Sequence, residues 1–384
     1  MRIRDDLVRR REGHERRTVS FVELFFDLVF VFAVTQLSHF LIEHFTLVGV
    51  AQTLLLMLAV WWVWIYTTWV TNWLNPERRP VRLVLMALML LGLILSSSIP
   101  KAFESRGLAF AGAYVAMQVG RTLFFLLAVK GHPSMVHTFQ RILVWLVLSG
   151  VFWIAGGLVH HPARLELWVL ALGLEYLSPS LGFRVPGLGR STTNDWNVEG
   201  GHMAERCGLF IIIALGESIL VTGATFSGLP WTPAAVTAFI VAFLGSLAMW
   251  WLYFDTSAAV GSQTISASRD PGSLARLAYT YVHLFLVAGI IVAAVADEFV
   301  LAHPLSPTEP RTTVVVLGGT ALYLVGDALF KWAIAGRLPI PSIVGVLLLG
   351  PLIPVSAAMS SLALMALATL VIVAVALWEA RAGR

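Results

Sequence analysis

Long apolar segments follow one another along almost the whole chain. The hydrocarbon core of a bilayer is roughly 30 Å thick, so a helix needs about 20 apolar residues to cross it. Lipid offers the backbone no hydrogen-bond partners, so each crossing segment is expected to be helical. The pattern predicts an all-α polytopic membrane protein with about twelve transmembrane helices, of which the eleventh is interrupted by Pro351 and Pro354. The predicted spans are residues 21–41, 47–73, 81–103, 108–130, 138–159, 164–180, 204–226, 232–254, 277–301, 312–335, 340–356 and 360–378.

The amino-acid composition agrees with a chain that lies in lipid. Hydrophobic residues make up 58% of the 384 residues and charged residues only 12%, whereas soluble domains carry about 25% charged residues. The net charge of +4 comes largely from an Arg-rich N-terminus, which favours contact with anionic lipid over nucleic acid. Membrane lipid is therefore the expected partner. The single cysteine, Cys207, excludes an intramolecular disulfide.

The placement of lysine and arginine predicts the orientation in the membrane. Segments on the same side as the N-terminus hold 20 of these residues, and segments on the opposite side hold 4. Cytoplasmic loops of membrane proteins carry such an excess of positive charge. Both termini are therefore expected to be cytoplasmic.

The second half of the chain resembles the first at three places in the same order. Six spans per half would make the copies run in the same direction, and a pathway is expected between two such copies. The matched segments are residues 119–124 and 325–330, 61–66 and 250–253, and 27–36 and 208–217. The predicted organisation is a basic N-terminus at residues 1–20, a six-helix repeat at 21–180, a cytoplasmic linker at 181–203 and a second six-helix repeat at 204–380.

Charged residues inside spans are costly to insert and are therefore candidate functional residues. Glu23 and Asp27 lie one turn apart on the first predicted helix, so they share a face. One alternative for Glu23 is an ion pair with Arg16 or Arg17 at the membrane surface. Asp27 lies deeper and is expected to have a buried role.

Arg121 and Asp327 occupy equivalent positions in the two matched segments. An isolated arginine in hydrocarbon costs at least about 2.5–3.5 kcal/mol on insertion scales, so both residues should have partners. One hypothesis pairs Arg121 with Asp327 or Asp27. The other gives Arg121 local partners and pairs Asp327 with Lys331, one turn further along the helix.

Glu217 is the strongest single candidate for a functional site. It lies near the middle of the seventh span, and its counterpart in the first half is Gln36, which is polar but not ionisable. A carboxyl group at this depth could bind a proton or a small cation. The alternative is a structural hydrogen bond to a neighbouring helix.

The sequence lacks the usual motifs of catalysis and cofactor binding. Residues 216–220, GESIL, lack the second glycine of a nucleophile elbow. His202 and Glu205 are spaced like metal ligands, but no second such pair occurs, so no metal site is expected. There is no phosphate loop or dinucleotide fingerprint either, and the protein is predicted not to be an enzyme and to need no cofactor. Secondary candidates for the polar site are Glu23, Glu205, Arg206, Glu175, Asp255 and His283.

Two motifs resemble the bacterial low temperature requirement A family. The first is ELFFDLVFVFA at residues 23–33, followed by TQL at 35–37. The second combines ER at 205–206, GLF at 208–210 and ALGESI at 214–219. The resemblance covers essentially the whole chain and implies a multi-pass protein of the bacterial inner membrane that is associated with growth at low temperature.

A looser similarity connects the first helix with endolysosomal potassium channels built from two six-helix repeats. It rests on Phe25-Phe26-Asp27. Phe21 stands where those channels have an arginine, and Gly208 stands where their second repeat has an aspartate. These departures weaken a channel assignment.

Two functions remain open at this point. The first is a transporter or ion-conducting protein for a small ion or solute, with a polar site between the repeats formed by Asp27, Gln36, Arg121, Glu217 and Asp327. The second is a non-transporting membrane protein for low-temperature adaptation or lipid sensing, in which the buried charges are structural. A homodimer is left open in both cases.

Overall fold

The computed structural model describes residues 7–9, 18–160, 162–192, 196 and 198–382. Within these ranges the chain forms helices and contains no β-strand, and the longest connection lies between Leu177 and Gly200. The predicted all-α fold is confirmed.

One compact unit consists of the described residues up to Met203 together with Asp270–Ser273. Six helices of the described chain lie wholly within this first unit. They are α1 (Phe21–Glu43), α2 (Leu47–Trp73), α3 (Arg79–Ser98), α4 (Gly107–Ala128), α5 (Pro133–Leu158) and α6 (Ala163–Leu177).

A second compact unit consists of Ala204–Arg269 and the described residues from Leu274 onward. The helix that begins it, α7 (Gly200–Ser227), starts in the first unit. The remaining helices of this unit are α8 (Pro233–Tyr253), α9 (Ala259–Ala267), α11 (His283–Ala302), α12 (Pro310–Ala335), α13 (Ile340–Leu349), α14 (Leu352–Val355) and α15 (Ser361–Ala382). The short helix α10 (Pro271–Leu274) belongs to the first unit except for its last residue.

Eleven helical segments of the described chain are long and apolar enough to cross a membrane. They correspond to eleven of the twelve predicted spans. The sixth predicted span, residues 164–180, forms α6, which has 15 residues. At a rise of 1.5 Å per residue this helix is about 22 Å long, short of the roughly 30 Å of a bilayer core.

Two spans are longer than the apolar pattern predicted, because π-helical turns continue them. The segment Phe254–Ala258 joins α8 to α9, and Ala275–Val282 joins α10 to α11. A π-helical turn inserts an extra residue without ending the helix, and such turns often occur at functional sites. By contrast, the predicted interruption at Pro351 is present, since α13 ends at Leu349 and α14 begins at Leu352.

The first helix begins with a capping box. The Ser20 side chain accepts a hydrogen bond from the backbone N–H of Glu23, and the Glu23 carboxylate accepts one from the backbone N–H of Ser20 at 3.0 Å. This pair satisfies backbone donors that the first turn leaves without partners. The start of α1 at Phe21 therefore follows directly from the spacing of Ser20 and Glu23.

Glycines allow α11 and α12 to pack closely in the second unit. A Cβ atom added at Gly289 would lie 2.6 Å from the backbone nitrogen of Tyr323, and one at Gly319 would lie 2.9 Å from that of Ala293. Small residues at such positions let the backbones of membrane helices approach each other. The position of α11 against α12 is therefore fixed by backbone contact.

We expect Gly319→Ala to lower the free energy of unfolding by about 1–3 kcal/mol, because the new methyl group overpacks the contact with Ala293. Gly318→Ala is the matched control, since within the described chain an added Cβ there has no neighbour within 4 Å. Alanine is also favoured over glycine in a helix by about 1 kcal/mol. Thermal unfolding in detergent micelles measures both variants, and equal melting temperatures would contradict the packing argument.

Candidate functional site

Glu175 lies at the centre of a hydrogen-bonded cluster in the first unit. Its side chain, on α6, is buried. Oε2 accepts from Tyr114 Oη at 2.6 Å and from Gln118 Nε2 at 3.1 Å. Oε1 accepts from Ser149 Oγ at 2.7 Å and from Trp153 Nε1 at 2.9 Å. These four donors, from α4 and α5, replace the water that a carboxylate would otherwise bind.

Arg121 completes this cluster. Its guanidinium donates to Oε1 of Gln118, the same side chain whose amide nitrogen donates to Glu175. It also donates to the carbonyl of Val63 at 3.1 Å and to Thr67 Oγ1 at 3.0 Å. Gln118 thus joins a buried cation to a buried anion, and the partners of Arg121 in the described chain lie on α2 and α4.

The structure does not pair Arg121 with Asp27, although both contact neighbouring positions of α2. Asp27 Oδ1 accepts from Trp64 Nε1 at 2.7 Å, and Val63, one residue earlier, accepts from Arg121. Both ionisable side chains are buried. The link between Arg121 and Glu175 was not predicted, because Gln118 lies between them.

Asp327 follows the second sequence hypothesis, a local ion pair in the second unit. Its Oδ2 lies 2.8 Å from Lys331 Nζ, one turn further along α12, and accepts from Ser342 Oγ at 2.7 Å. Oδ1 accepts from Ser257 Oγ at 3.2 Å, in the π-helical turn after α8. Lys331 also pairs with Glu379 of α15. This cation therefore serves two carboxylates.

Glu23 is fully buried and takes part in more than the capping box. Oε1 lies 2.9 Å from His202 Nε2, and Arg9 Nη2 lies 3.3 Å from Oε2. The side-chain nitrogen of Asn72 lies 3.2 Å from His202 Nδ1, and Arg9 Nη2 lies 3.3 Å from His202 Nε2. Arg16 and Arg17, the predicted partners of Glu23, lie outside the described residues.

Asp297 forms a polar site that sequence reasoning missed. It lies on α11 and is 7% exposed. Its Oδ2 contacts Thr222 Oγ1 at 3.2 Å and Ser218 Oγ at 3.4 Å, both on α7, and Ser218 Oγ lies 3.4 Å from Ser246 Oγ on α8. A cavity of about 30 Å³ borders the carboxyl group and is lined in part by Ser246 and Thr320.

We call these five residues, Asp297, Ser218, Thr222, Ser246 and Thr320, the Asp297 site. It differs from the other acidic clusters, because the described polar partners of Asp297 are hydroxyl groups and include no basic side chain. The sequence does contain a signal that could have identified the Asp297 site. Asp297 interrupts the predicted span 277–301, as Asp27 interrupts the first.

The remaining sequence candidates differ in burial. Glu217 is 3% exposed and directly precedes Ser218 of the Asp297 site. Gln36 is half-buried on α1. At the start of α7, Glu205 is exposed and Arg206 is fully buried.

Asp255 and His283, both in the second unit, have local partners. Asp255 is exposed and accepts from Trp251 Nε1 at 3.1 Å. His283 is fully buried, with Nδ1 2.8 Å from the carbonyl of Ala278 and Nε2 2.8 Å from Tyr253 Oη. Nδ1 must donate to a carbonyl, so Nε2 accepts from the tyrosine. Among the described residues no group of three or more His, Cys, Asp or Glu side chains is arranged to hold a metal ion.

The chain matches the model of a known protein family over most of its length. The family model described as bacterial low temperature requirement A protein matches residues 18–377. The chain belongs to this family. The match confirms the resemblance seen in the two sequence motifs, and together with eleven apolar helices it assigns the protein to a bacterial membrane.

A relative in Rhizobium meliloti (strain 1021) supports the same assignment. It is 41% identical over 372 residues, which is 96% of this chain and 91% of the relative. That protein is described as uncharacterized. No solved structure matches the chain.

Replacement of Arg121 tests the cluster around Glu175. We expect Arg121→Met to lower the free energy of unfolding by about 3–5 kcal/mol, because Glu175 would remain buried without its cation. Arg82→Met is the control, since the Arg82 side chain is 41% exposed in its pair with Glu77 and such pairs contribute about 0–1 kcal/mol. Unfolding of the purified protein in micelles measures the difference.

A second substitution shows whether charge is the cause. Glu175→Gln added to Arg121→Met should recover part of the lost stability, because the amide removes the uncompensated negative charge. If the double variant is as unstable as the sum of the two single variants, the two charges are not coupled.

Proposed function

We propose that the protein is a transporter or ion-conducting protein of the bacterial inner membrane, with both termini in the cytoplasm. The observation that carries the proposal is Asp297, a buried carboxyl group in a membrane helix that contacts hydroxyl groups beside a small cavity. The excess of Lys and Arg on one side supports the orientation.

The physical argument starts from the cost of a buried charge. On insertion scales an ionised aspartate costs about 2.5–3.5 kcal/mol at the centre of a membrane helix. Asp297 lies nearer the end of α11, but its side chain is buried without a basic partner among its described contacts, so its charge still lowers stability. Hydroxyl groups lower this cost only in part, because they carry no net charge. Binding of a proton or a cation neutralises the carboxylate and removes most of this free-energy cost. Reversible binding of this kind is what ion transport requires.

The residues that the sequence predicted for the pathway have different roles in this proposal. Glu217 is the best placed, because it is buried and adjoins Ser218 on α7. Asp27 and Gln36 remain candidates on α1. Arg121 and Asp327 are each held by several hydrogen bonds or ion pairs within their own units, so we assign them to the support of the helices around a pathway.

A second candidate function is a non-transporting membrane protein for low-temperature adaptation or lipid sensing. The observation that favours it is Glu175, whose two oxygen atoms accept four hydrogen bonds and whose charge is balanced through Gln118. Such a cluster stabilises helices and leaves no oxygen free for an ion. The description of the family by a low temperature requirement fits either function.

A flux assay in reconstituted vesicles separates the two functions. We expect the wild-type protein to carry protons or a small cation down an imposed gradient. Asp297→Asn should lose most of this flux, because the amide cannot ionise. Glu298→Gln is the matched control, since this half-buried neighbour has no contact in the Asp297 site. Variants Glu217→Gln and Asp27→Asn test the other candidates in the same assay.

Two results of this flux assay would count against the proposal. Zero flux of the wild-type protein for protons, Na⁺, K⁺ and Li⁺ would favour the second function. Equal flux in the wild type and Asp297→Asn would remove Asp297 from the pathway.

A further inference from the structure

Two hydroxyl groups of the Asp297 site, those of Thr222 and Thr320, donate their protons to the backbone of their own helices. Thr222 Oγ1 donates to the backbone carbonyl of Ser218 at 2.7 Å, and Thr320 Oγ1 donates to that of Val316 at 3.0 Å. A hydroxyl group has one proton and two lone pairs. Once the proton is used in a short bond to the helix backbone, the atom faces the rest of the site as an acceptor.

The contact between Thr222 and Asp297 agrees with this assignment. Its length is 3.2 Å, and the contact from Ser218 is 3.4 Å. A hydroxyl group that donates to a carboxylate normally lies at about 2.5–2.7 Å. The 3.2 Å contact of Thr222 is longer than such a bond and fits an oxygen atom whose proton is already used, whereas Ser218 Oγ donates to Asp297 over 3.4 Å.

We infer that the Asp297 site binds a small monovalent cation, of which Na⁺ is the representative. The site offers one carboxylate and several neutral oxygen atoms, a hard donor set that suits a hard cation. One negative charge balances a single positive charge and leaves a divalent ion under-neutralised. The described side chains that contact Asp297 carry no positive charge that would compete with the cation.

The size of the cavity limits what can enter. Its volume is about 30 Å³, and about 10–15 Å³ in this measure already holds one water molecule. A single ion with at most one water fits, whereas a solute of several heavy atoms does not. Ser246, Thr320 and Asp297 line this cavity, so an ion there would be within reach of oxygen atoms from three helices.

This inference rests on the proposed function, since it names the class of ion that the same site would take. Its test is a binding measurement that does not depend on flux. Purified full-length protein is titrated with radiolabelled Na⁺ at equilibrium. In parallel, the melting temperature is measured in NaCl, KCl, LiCl and choline chloride at equal ionic strength.

We expect saturable Na⁺ binding by the wild type and a melting temperature that rises with Na⁺ but not with choline. Asp297→Asn should abolish both effects. Thr222→Val keeps the shape of the side chain and removes its oxygen, so it should weaken binding by roughly tenfold or more. Glu298→Gln should change neither measurement. If Asp297→Asn fails to fold, Thr222→Val and Thr320→Val decide the question through their dissociation constants.

The inference is overturned if the wild type shows no saturable binding and equal melting temperatures in all four salts, as a site that holds only a proton would. It is also overturned if Asp297→Asn or both threonine variants bind Na⁺ like the wild type. Binding without flux supports the cation site and removes the transport proposal. Flux without Na⁺ binding removes the cation site and leaves transport in place.

Discussion

Every polar group that enters the bilayer must find its partner inside the protein, because hydrocarbon offers none. Glu175 is the clearest case in this molecule, since each carboxylate oxygen accepts two hydrogen bonds from neighbouring helices. The same bonds fix the relative positions of α4, α5 and α6. A short, partly polar helix such as α6 is held in place by this chemistry as much as by apolar contact.

Close packing in the second unit serves the polar site directly. Gly319 brings α12 into backbone contact with α11, and the next residue, Thr320, lines the cavity beside Asp297. Gly289 makes a similar contact two turns before Asp297 on α11. Backbone contact leaves little room for sliding of one helix past the other. The distance between the carboxyl group and the oxygen atoms of α12 is therefore set by glycines that bind nothing themselves.

The features that the sequence predicted are those carried by spacing along one helix. Apolar length predicted the spans, and the i, i+4 spacing of Asp327 and Lys331 predicted their ion pair as one of two alternatives. Contacts between helices were not predictable in this way. The bridge of Gln118 between Arg121 and Glu175 depends on which faces of α4 and α6 meet, and no spacing rule contains that information.

Asp297 was missed for a different reason. Its position in an apolar span was visible in the sequence. Its role, however, depends on which side chains of other helices pack against it. The hydroxyl-bearing residues around it look like ordinary small polar residues of membrane helices, which usually bond to the backbone one turn earlier. Thr222 and Thr320 do so here, and for that reason their oxygen atoms have lone pairs left to offer. The contrast with Glu175 follows. Four donors at 2.6–3.1 Å surround the carboxylate of Glu175, whereas Asp297 has only long hydroxyl contacts at 3.2 and 3.4 Å, and the proposed cation would balance its charge.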